Sequence, residues 1–320
     1  MFCKLVNMKV FHRKYFNTII LFFLVLLLSN CTKSNTNENL KNEKTNTSIQ
    51  FPYPTIPVLI TDTFEQRNYF TLHFWDNFDF GDSLVLQSPE KFEPFFVEFV
   101  ALLQKSPLSN AIKSINSLLA KTDNTDSWLL FVAKVSEKYL YEPNSPLRND
   151  ELYIPVLEKL IASKVISETQ KISPRFQLKL LYKNRIGKSA TNIHLTTVDG
   201  EYLNLFQLKA DFTIVFFYTP GCHSCELAQK QLQSDTLISK SLADKKLNVL
   251  AVCTEKAVKS FRKHAKLLPD TWINGWDKTG DISKNYDLKA SPTIYLLDNN
   301  KTVVMKDADP QAINAYFRAK

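Results

Sequence analysis

Cys222 and Cys225 are the residues whose type and spacing most clearly allow chemistry. They lie three positions apart in the stretch TPGCHSCE, directly after the apolar run FTIVFFY. A pair with this spacing could exchange disulfides, supply half of a metal site or form a structural disulfide. A disulfide that closes so short a loop gives little chain-entropy stabilisation, so a purely structural role makes poor physical sense. A zinc site needs four ligands, and beyond the amino-terminal segment only Cys253 is left to add a thiolate.

The position of the pair in the predicted elements favours redox chemistry. Pro220 and Gly221 break the strand, so Cys222 falls at the start of the next helix, where unpaired backbone amides and the helix dipole favour an anion. A thiolate there has a pKa below about 8.5, and only the thiolate attacks a disulfide. The spacing puts Cys225 on the same helix face, within reach to resolve a mixed disulfide on Cys222. We therefore interpret the pair as a redox-active disulfide, Cys222–Cys225, with no other cofactor and no metal.

Helical periodicity dominates the first half of the chain. Apolar residues recur at helical spacing between residues 51 and 188 and predict an all-helical domain of five or six helices. Serine–proline pairs at 88–89, 106–107 and 173–174 are interpreted as helix starts, because serine caps free amides and proline is tolerated at the first helical position. His73, with the three aspartates that follow it by residue 82, has no recognised metal-ligand spacing and is interpreted as turn or capping residues.

Strand patterns replace helical ones in the region 189–320. A hairpin is predicted to turn at Asp199–Gly200, and a buried strand over Phe212–Tyr218 precedes a helix that runs to about Ser241. The rest of the region is predicted to contain strands at 247–252, 293–297 and 302–305, with helices at 255–268 and from Asp309. The fold class is therefore α+β overall: an all-helical domain, then an α/β domain.

The motifs in this second domain resemble those of TlpA-like bacterial membrane-anchored thioredoxins. The resemblance is carried by FFYTPGCHSCE at the active-site turn and by ASPTIYLLD at the proline loop. It implies a thioredoxin-like α/β domain with a central mixed sheet flanked by helices, and thiol-disulfide oxidoreductase activity. It also implies that Pro292 is cis, faces the cysteine pair and shapes the edge on which substrate lies. The layout further resembles lipoproteins in which a helical domain of unknown function precedes such a module.

Several residues near the pair depart from that family's pattern. His223 stands beside the attacking cysteine, where it either stabilises the thiolate as a cation or points into solvent. Phe216 replaces the buried acid that assists proton transfer in cytosolic thioredoxin, and Glu226 is either a substitute base or a solvated helix residue. Cys253 is expected to be a buried, inert core cysteine, although a position near the pair stays open.

The amino terminus has the pattern of an export signal. A positive region over Lys4–Lys14 precedes the apolar run Ile19–Leu28, which is shorter than the ~20 residues that span a bilayer. Residues 1–30 are therefore interpreted as a signal peptide, and Cys31 resembles the lipidated cysteine of bacterial lipoproteins. Ordinary signal cleavage, with Cys31 incidental, is the alternative. Residues 31–50 are almost wholly polar and are interpreted as a flexible tether.

The basic net charge does not indicate a nucleic-acid partner. The chain of 320 residues has a formal net charge of +8, but four of its 40 basic residues fall in the first 30 positions, which contain no acid. The other 36 face 32 acidic residues and are scattered among them. This distribution is typical of a solvated surface rather than a phosphate-binding one.

The sequence thus predicts an exported thiol-disulfide oxidoreductase that is anchored to a membrane by lipid and faces the periplasm. Its expected partners are thiols and disulfides of cell-envelope proteins, and a reductase there would need electrons from a membrane donor. One alternative is a non-enzymatic binding or scaffold lipoprotein with a thioredoxin-like module. Another is a thioredoxin-fold peroxidase, because Thr219 and Cys222 match a Thr-x-x-Cys element of peroxiredoxins.

Overall fold

The computed structural model describes residues 51–122 and 126–320, and the amino-terminal half of that range is helical. Its α-helices number seven among the described residues, more than the five or six predicted. The additional one is a single turn of four residues, too short to produce a hydrophobic period. The helices are α1 (Thr63–His73), α2 (Leu84–Gln87), α3 (Glu93–Leu103), α4 (Leu108–Ala120), α5 (Asp126–Ser136), α6 (Asp150–Ala162) and α7 (Ile172–Leu181).

Aromatic side chains form the core of the helical domain. Trp75 stacks on Phe92 with the ring centroids 4.6 Å apart, and both are buried. Phe51, from the proline-rich segment before α1, is also buried and lies 4.5 Å from the ring of Phe95. The segment that precedes the first helix is therefore part of this core.

Aspartate and asparagine, rather than the predicted serines, provide the side-chain caps of α1 and α6. Asp62 accepts the backbone N–H groups of the first turn of α1, and Asn149 accepts one from α6. Ser106 instead donates its hydroxyl to the carbonyl of Leu102 in the preceding helix, and Ser173 lies inside α7. The predicted helix starts lie within two residues of observed ones, at Pro89 of a short 3₁₀ helix, Leu108 and Ile172, but none of the three serines caps its helix with its side chain. Capping fails at Ser106 because its hydroxyl bonds backward to a carbonyl instead of forward to an amide.

A seven-stranded mixed sheet forms the second domain. The strand order is β2-β1-β5-β4-β3-β6-β7, in which β3, β4 and β5 are parallel and the other neighbours are antiparallel. The strands are β1 (His194–Thr196), β2 (Tyr202–Asn204), β3 (Phe212–Tyr218), β4 (Leu247–Cys253), β5 (Ile273–Trp276), β6 (Thr293–Asp298) and β7 (Val303–Met305), and the helices are α8 (His223–Ser234), α9 (Thr236–Ala243), α10 (Val258–Ala265) and α11 (Pro310–Arg318).

This arrangement confirms the predicted fold class, and β3 lies at its centre. Separate apolar clusters cover the two faces of the sheet, one containing Phe216 and the other Phe217, so alternate residues of β3 point to opposite sides. None of the helices in the described part of the chain is long and apolar enough to cross a membrane.

Two elements of this domain differ from the sequence prediction. Strand β5 was not predicted, because it is short and contains Gly275. A Cβ at this position would lie 2.5 Å from a methyl carbon of Leu195, so only glycine lets β1 approach β5 this closely. The sequence predicts one helix after the cysteines, but the structure has two, α8 and α9. The break is at Asp235, whose extended backbone and side chain cap the N-terminus of α9.

Charged side chains from both domains are buried where the domains meet. Asp150, the first residue of α6, lies 2.5 Å from the Nζ of Lys306 and 3.2 Å from that of Lys289. Lys289 also pairs with Asp287 at 3.2 Å and lies 3.8 Å from the ring centroid of Tyr141 in the helical domain. Lys289 lies in the segment before β6 and Lys306 directly after β7, so the Asp150 carboxylate of the helical domain pairs with a lysine from each of these segments.

We expect Asp150→Asn to lower the free energy of unfolding by about 3–5 kcal/mol, because it leaves buried Lys306 without its paired carboxylate and Lys289 with Asp287 alone. Burial opposes ionisation of Asp150, but Lys306 and Lys289 outweigh it and lower its pKa. Its contribution is therefore complete above about pH 4 and is lost as the pH falls through the lowered pKa. Urea unfolding of the wild type and the variant at neutral and acidic pH measures this, with the exposed Asp211→Asn as control. A pH-independent difference, or none, would contradict the assignment.

Candidate active site

The loop from β3 to α8 places the cysteine pair at the carboxyl end of the central strand. Gly221 has a φ of 77°, a left-handed conformation that glycine adopts without steric cost. The backbone N–H of Cys222 donates to the carbonyl of Thr219 at 3.1 Å, which closes the turn. Cys222 is the N-cap of α8, and its Sγ accepts the backbone N–H of Cys225 at 3.3 Å. A sulfur thus occupies the helix end that favours negative charge.

The two cysteines are free thiols with different environments. Their Sγ atoms are 2.6 Å apart, so a disulfide between them needs only a small movement. Cys222 is partly exposed, whereas Cys225 is 3% exposed. A substrate in solution can therefore reach the first sulfur and not the second.

Their surroundings also separate the pKa values of the two thiols. Partial burial opposes ionisation of Cys222, but hydrogen bonds from the thiol and backbone N–H of Cys225 and from the Ser291 side chain lower its pKa. Burial, reinforced by the hydrogen bond to Cys222, raises the pKa of Cys225 to about 11. Cys222 is therefore the thiol that ionises first.

The proline loop lies against both sulfurs. The Ser291–Pro292 peptide bond is cis, as the family resemblance implies. The Cys222 thiol donates to the Ser291 carbonyl at 3.3 Å, and the Ser291 hydroxyl lies 3.1 Å from the Sγ of Cys225. The structure therefore brings together Cys222, Cys225 and the loop that contains Pro292.

A row of hydroxyls that the sequence analysis did not identify continues from this loop. Ser291 donates its hydroxyl to Thr219 Oγ1 at 3.2 Å, and Thr219 Oγ1 lies 3.2 Å from Thr254 Oγ1. Thr254 in turn donates to the carbonyl of Tyr218 at 3.1 Å. A sequence signal does exist, because Thr219 and Thr254 each follow one of two adjacent parallel strands. Without the sheet register, however, their proximity could not be predicted.

The remaining predicted site residues lie apart from these contacts or outside the described residues. His223 is the first residue of α8 and is exposed, and no hydrogen bond connects it with a cysteine within residues 51–122 and 126–320. Cys31 lies outside the described residues. Cys253 is fully buried at the end of β4, opposite Tyr218 in β3, and burial raises its pKa. Its thiol is therefore the least accessible of the three in this domain.

The residues considered as metal ligands or as catalytic bases form neither a metal site nor a base at the cysteine pair among the described residues. The His73 Nδ1 lies 2.6 Å from a carboxylate oxygen of Asp76, a local hydrogen bond that the turn interpretation allows. The structure shows no cluster of three or more potential metal ligands in the part of the chain that it describes. Phe216 is buried in the core face that also contains Cys225, and Glu226 is half-exposed one position after that cysteine. His264 is buried against the Tyr218 ring, and burial lowers its pKa.

Two known protein families match consecutive parts of the chain. Residues 29–184 match a family described as a domain of unknown function, DUF5106. Residues 186–306 match the AhpC/TSA family.

A solved structure matches both domains together. It is the crystal structure of a thioredoxin-like protein from Bacteroides caccae, 38% identical, with a TM-score of 0.80 over 84% of this chain and 98% of that one. Over 127 residues, the chain is 30% identical to the thiol-disulfide oxidoreductase ResA of Bacillus cereus and 28% identical to that of Bacillus thuringiensis. Each match covers 39% of this chain and 70% of the relative.

The chain is a thioredoxin-like thiol-disulfide oxidoreductase. Coverage of 84% of the chain exceeds what either domain alone could supply, so the Bacteroides caccae structure resembles this oxidoreductase in both domains. The resemblance to the named relatives agrees with the enzyme class that the sequence predicts.

We expect iodoacetamide to alkylate Cys222 of the reduced oxidoreductase first, because its pKa is lowered, its sulfur is partly exposed and only thiolates react. The rate at Cys222 should rise through a pKa below about 8.5, the ordinary value for cysteine. Cys225 should react only as the pH approaches about 11. Mass spectrometry of peptides from a pH series assigns the sites, and buried Cys253 is the internal control. Modification of Cys225 before Cys222 would contradict the assignment.

Proposed function

We propose that this oxidoreductase is exported, anchored to a membrane through a lipid on Cys31, and reduces disulfides of envelope proteins through Cys222 and Cys225. The observation that supports this most directly is the asymmetry of the pair. The partly exposed Cys222 thiol has a lowered pKa, and the buried Cys225 thiol, whose sulfur is 2.6 Å away, has a raised pKa. Pro292 and its loop form the edge beside them.

The proposed reaction has two exchanges. The Cys222 thiolate attacks one sulfur of a substrate disulfide, a new S–S bond joins enzyme and substrate, and the other substrate sulfur leaves as a thiolate. Cys225 then loses its proton and attacks the Sγ of Cys222, which releases the second substrate thiolate. Both substrate thiolates are protonated by water. The substrate gains two electrons and the enzyme ends as the Cys222–Cys225 disulfide.

Uncharged hydrogen-bond donors at Cys222 favour the reducing direction. The groups that lower its pKa against partial burial are the Cys225 thiol, backbone N–H groups and the Ser291 side chain, and none of these is a cation. A strongly oxidising pair requires a thiolate that is stabilised much further, because that stabilises the dithiol form. We assign His223 an electrostatic role only in its cationic state, since its exposed ring has no hydrogen bond to the described cysteines.

A cleft beside the proline loop suggests where substrate lies. This cavity of about 280 Å³ is lined by Pro292 and Ala290 of the loop and by Ala228 of α8. Pro143 and Arg148 of the helical domain line it as well. We infer that the cleft receives an extended segment of the substrate chain, next to its cysteine, and that the helical domain forms one wall.

Export determines the source of electrons. The positive and apolar regions before Cys31 support export and lipidation, and a lipid-anchored, periplasm-facing enzyme is separated from the cytosolic reducing system. We therefore propose that a membrane-embedded donor re-reduces the Cys222–Cys225 disulfide.

A reductase of this kind should have an equilibrium reduction potential near or below about −270 mV, read by thiol alkylation across a thiol–disulfide buffer series. Cys222→Ser should abolish disulfide exchange, whereas Cys253→Ser should leave it unchanged. A potential near about −120 mV would contradict the reducing direction. Absence of exchange in the wild type would favour a scaffold lipoprotein, and rapid consumption of peroxide would favour a peroxidase.

Lipidation is tested by expressing the full chain in bacteria that are fed an alkyne-labelled fatty acid. We expect the label on the wild-type protein and its loss in Cys31→Ala. Cys3→Ala, which changes the other amino-terminal cysteine, should retain the label. A labelled Cys31→Ala protein, or an unlabelled wild type, would reject the proposed anchor.

A further inference from the structure

The resolving thiol needs a route for its proton. Cys225 is 3% exposed, so bulk water has little access to its sulfur. The titratable groups that face it are the Cys222 thiol and the Tyr218 phenol, whose pKa burial raises. No carboxylate or imidazole hydrogen-bonds to Cys225 in the part of the chain that the structure describes, and Phe216 fills the adjacent core.

We propose that the hydroxyls of Ser291, Thr219 and Thr254 form a relay that carries the proton of Cys225 to solvent when Cys225 attacks Cys222. This inference rests on the proposed roles of the two cysteines. It assigns proton transfer to Ser291 and Thr254, and to Thr219, which the sequence connects only with a peroxidase element.

The hydrogen-bond geometry is compatible with transfer from Cys225 outward. The Cys225 Sγ lies 3.1 Å from Ser291 Oγ, Ser291 donates to Thr219 Oγ1 at 3.2 Å, and Thr219 Oγ1 lies 3.2 Å from Thr254 Oγ1. The Thr254 hydroxyl then points to the carbonyl of Tyr218 at 3.1 Å. A hydroxyl both donates and accepts, so each of the three can accept from one neighbour and donate to the next, as a relay requires.

The outer end of the relay lies in a cavity of about 250 Å³. Thr254, Thr219 and Ser291 line it and are partly exposed, so water in the cavity can take the proton. Lys289 also lines the cavity, but its charge is compensated by Asp150 and Asp287. The outlet is therefore polar without an unpaired cation that would repel a proton.

The Cys225 thiol has a second acceptor, which makes the relay specific to one step. In the dithiol, Cys225 donates to the Cys222 sulfur at 2.6 Å. Once Cys222 is bonded to substrate it bears no negative charge, and the Cys225 proton turns to Ser291. The proton then moves to Ser291 while Ser291 passes its own to Thr219 and Thr219 to Thr254. The Thr254 hydroxyl turns from the Tyr218 carbonyl into the cavity and gives its proton to water there. The Cys225 thiolate forms the S–S bond and the substrate thiolate leaves.

Stopped-flow reduction of a stoichiometric aromatic disulfide, 5,5′-dithiobis(2-nitrobenzoate), separates the two steps. Attack by Cys222 releases the first coloured thiolate, and resolution by Cys225 releases the second in a concentration-independent phase. We expect Thr219→Val and Thr254→Val to slow the second phase by about tenfold or more and to displace its pH profile upward. The first phase and its pH profile should not change. Thr254→Ser, which keeps the hydroxyl, should restore the second phase.

Thr213→Val is the matched control. Thr213 is fully buried in the same strand, β3, and its hydroxyl has no hydrogen-bond partner within the described residues, so its removal should leave both phases unchanged. A wild-type second phase in Thr219→Val and Thr254→Val would overturn the relay and leave the proposed function standing. Equal slowing of both phases would also overturn it, because it would indicate a displaced loop. Absence of the first phase in the wild type would reject the proposed function itself.

Discussion

The contact between the sulfurs of Cys222 and Cys225 at the N-terminus of α8 is the constraint around which this oxidoreductase is arranged. One sulfur caps the helix and the other is buried behind it, so the same chemical group has two different pKa values. The buried strand β3 fixes the position of the turn, and the Ser291 loop contacts both sulfurs. The end of β3, the start of α8 and the Ser291 loop therefore determine the pKa values of the two thiols, their burial and the distance between their sulfurs.

Buried ion pairs connect the helical domain to the segments that flank the proline loop and β7. Asp150 pairs with Lys289, which stands two positions before Ser291, and with Lys306 beyond β7. Replacing a buried ion pair with apolar groups is often neutral or stabilising, whereas removing one partner is strongly destabilising. Loss of Asp150 therefore acts through the lysines that it leaves buried. Lys289 is close in sequence to the proline loop, so its contact with Asp150 connects the helical domain to the loop that lies against the cysteines. Pro143 and Arg148 of the helical domain also line the cleft beside Pro292.

The sequence was sufficient for the fold class, the strand–turn–helix around the cysteines and the hairpin at Asp199–Gly200, because these features depend on local residue types and hydrophobic period. The cis peptide at Pro292 was implied by the family resemblance and not by the local residues. Strand β5 and the hydroxyl row were not predictable in this way. The strand depends on how closely Leu195 approaches Gly275, and the row depends on the register of β3 with β4. The serine caps were misassigned because local sequence does not fix where a hydroxyl bonds: Ser106 bonds backward to a carbonyl, whereas Asp62 and Asn149 accept amides of the helices that follow them.

The most direct test of the proposed redox pair is a trapping experiment in the full chain. Cys225→Ser leaves Cys222 able to attack a substrate disulfide but unable to release it, so covalent adducts with envelope proteins should accumulate. Mass spectrometry of those adducts should identify Cys222 as the linked residue, and the Cys222→Ser/Cys225→Ser double variant should give none. Adducts through Cys253, or none in the Cys225→Ser protein, would contradict the assignment of Cys222 as the attacking thiol.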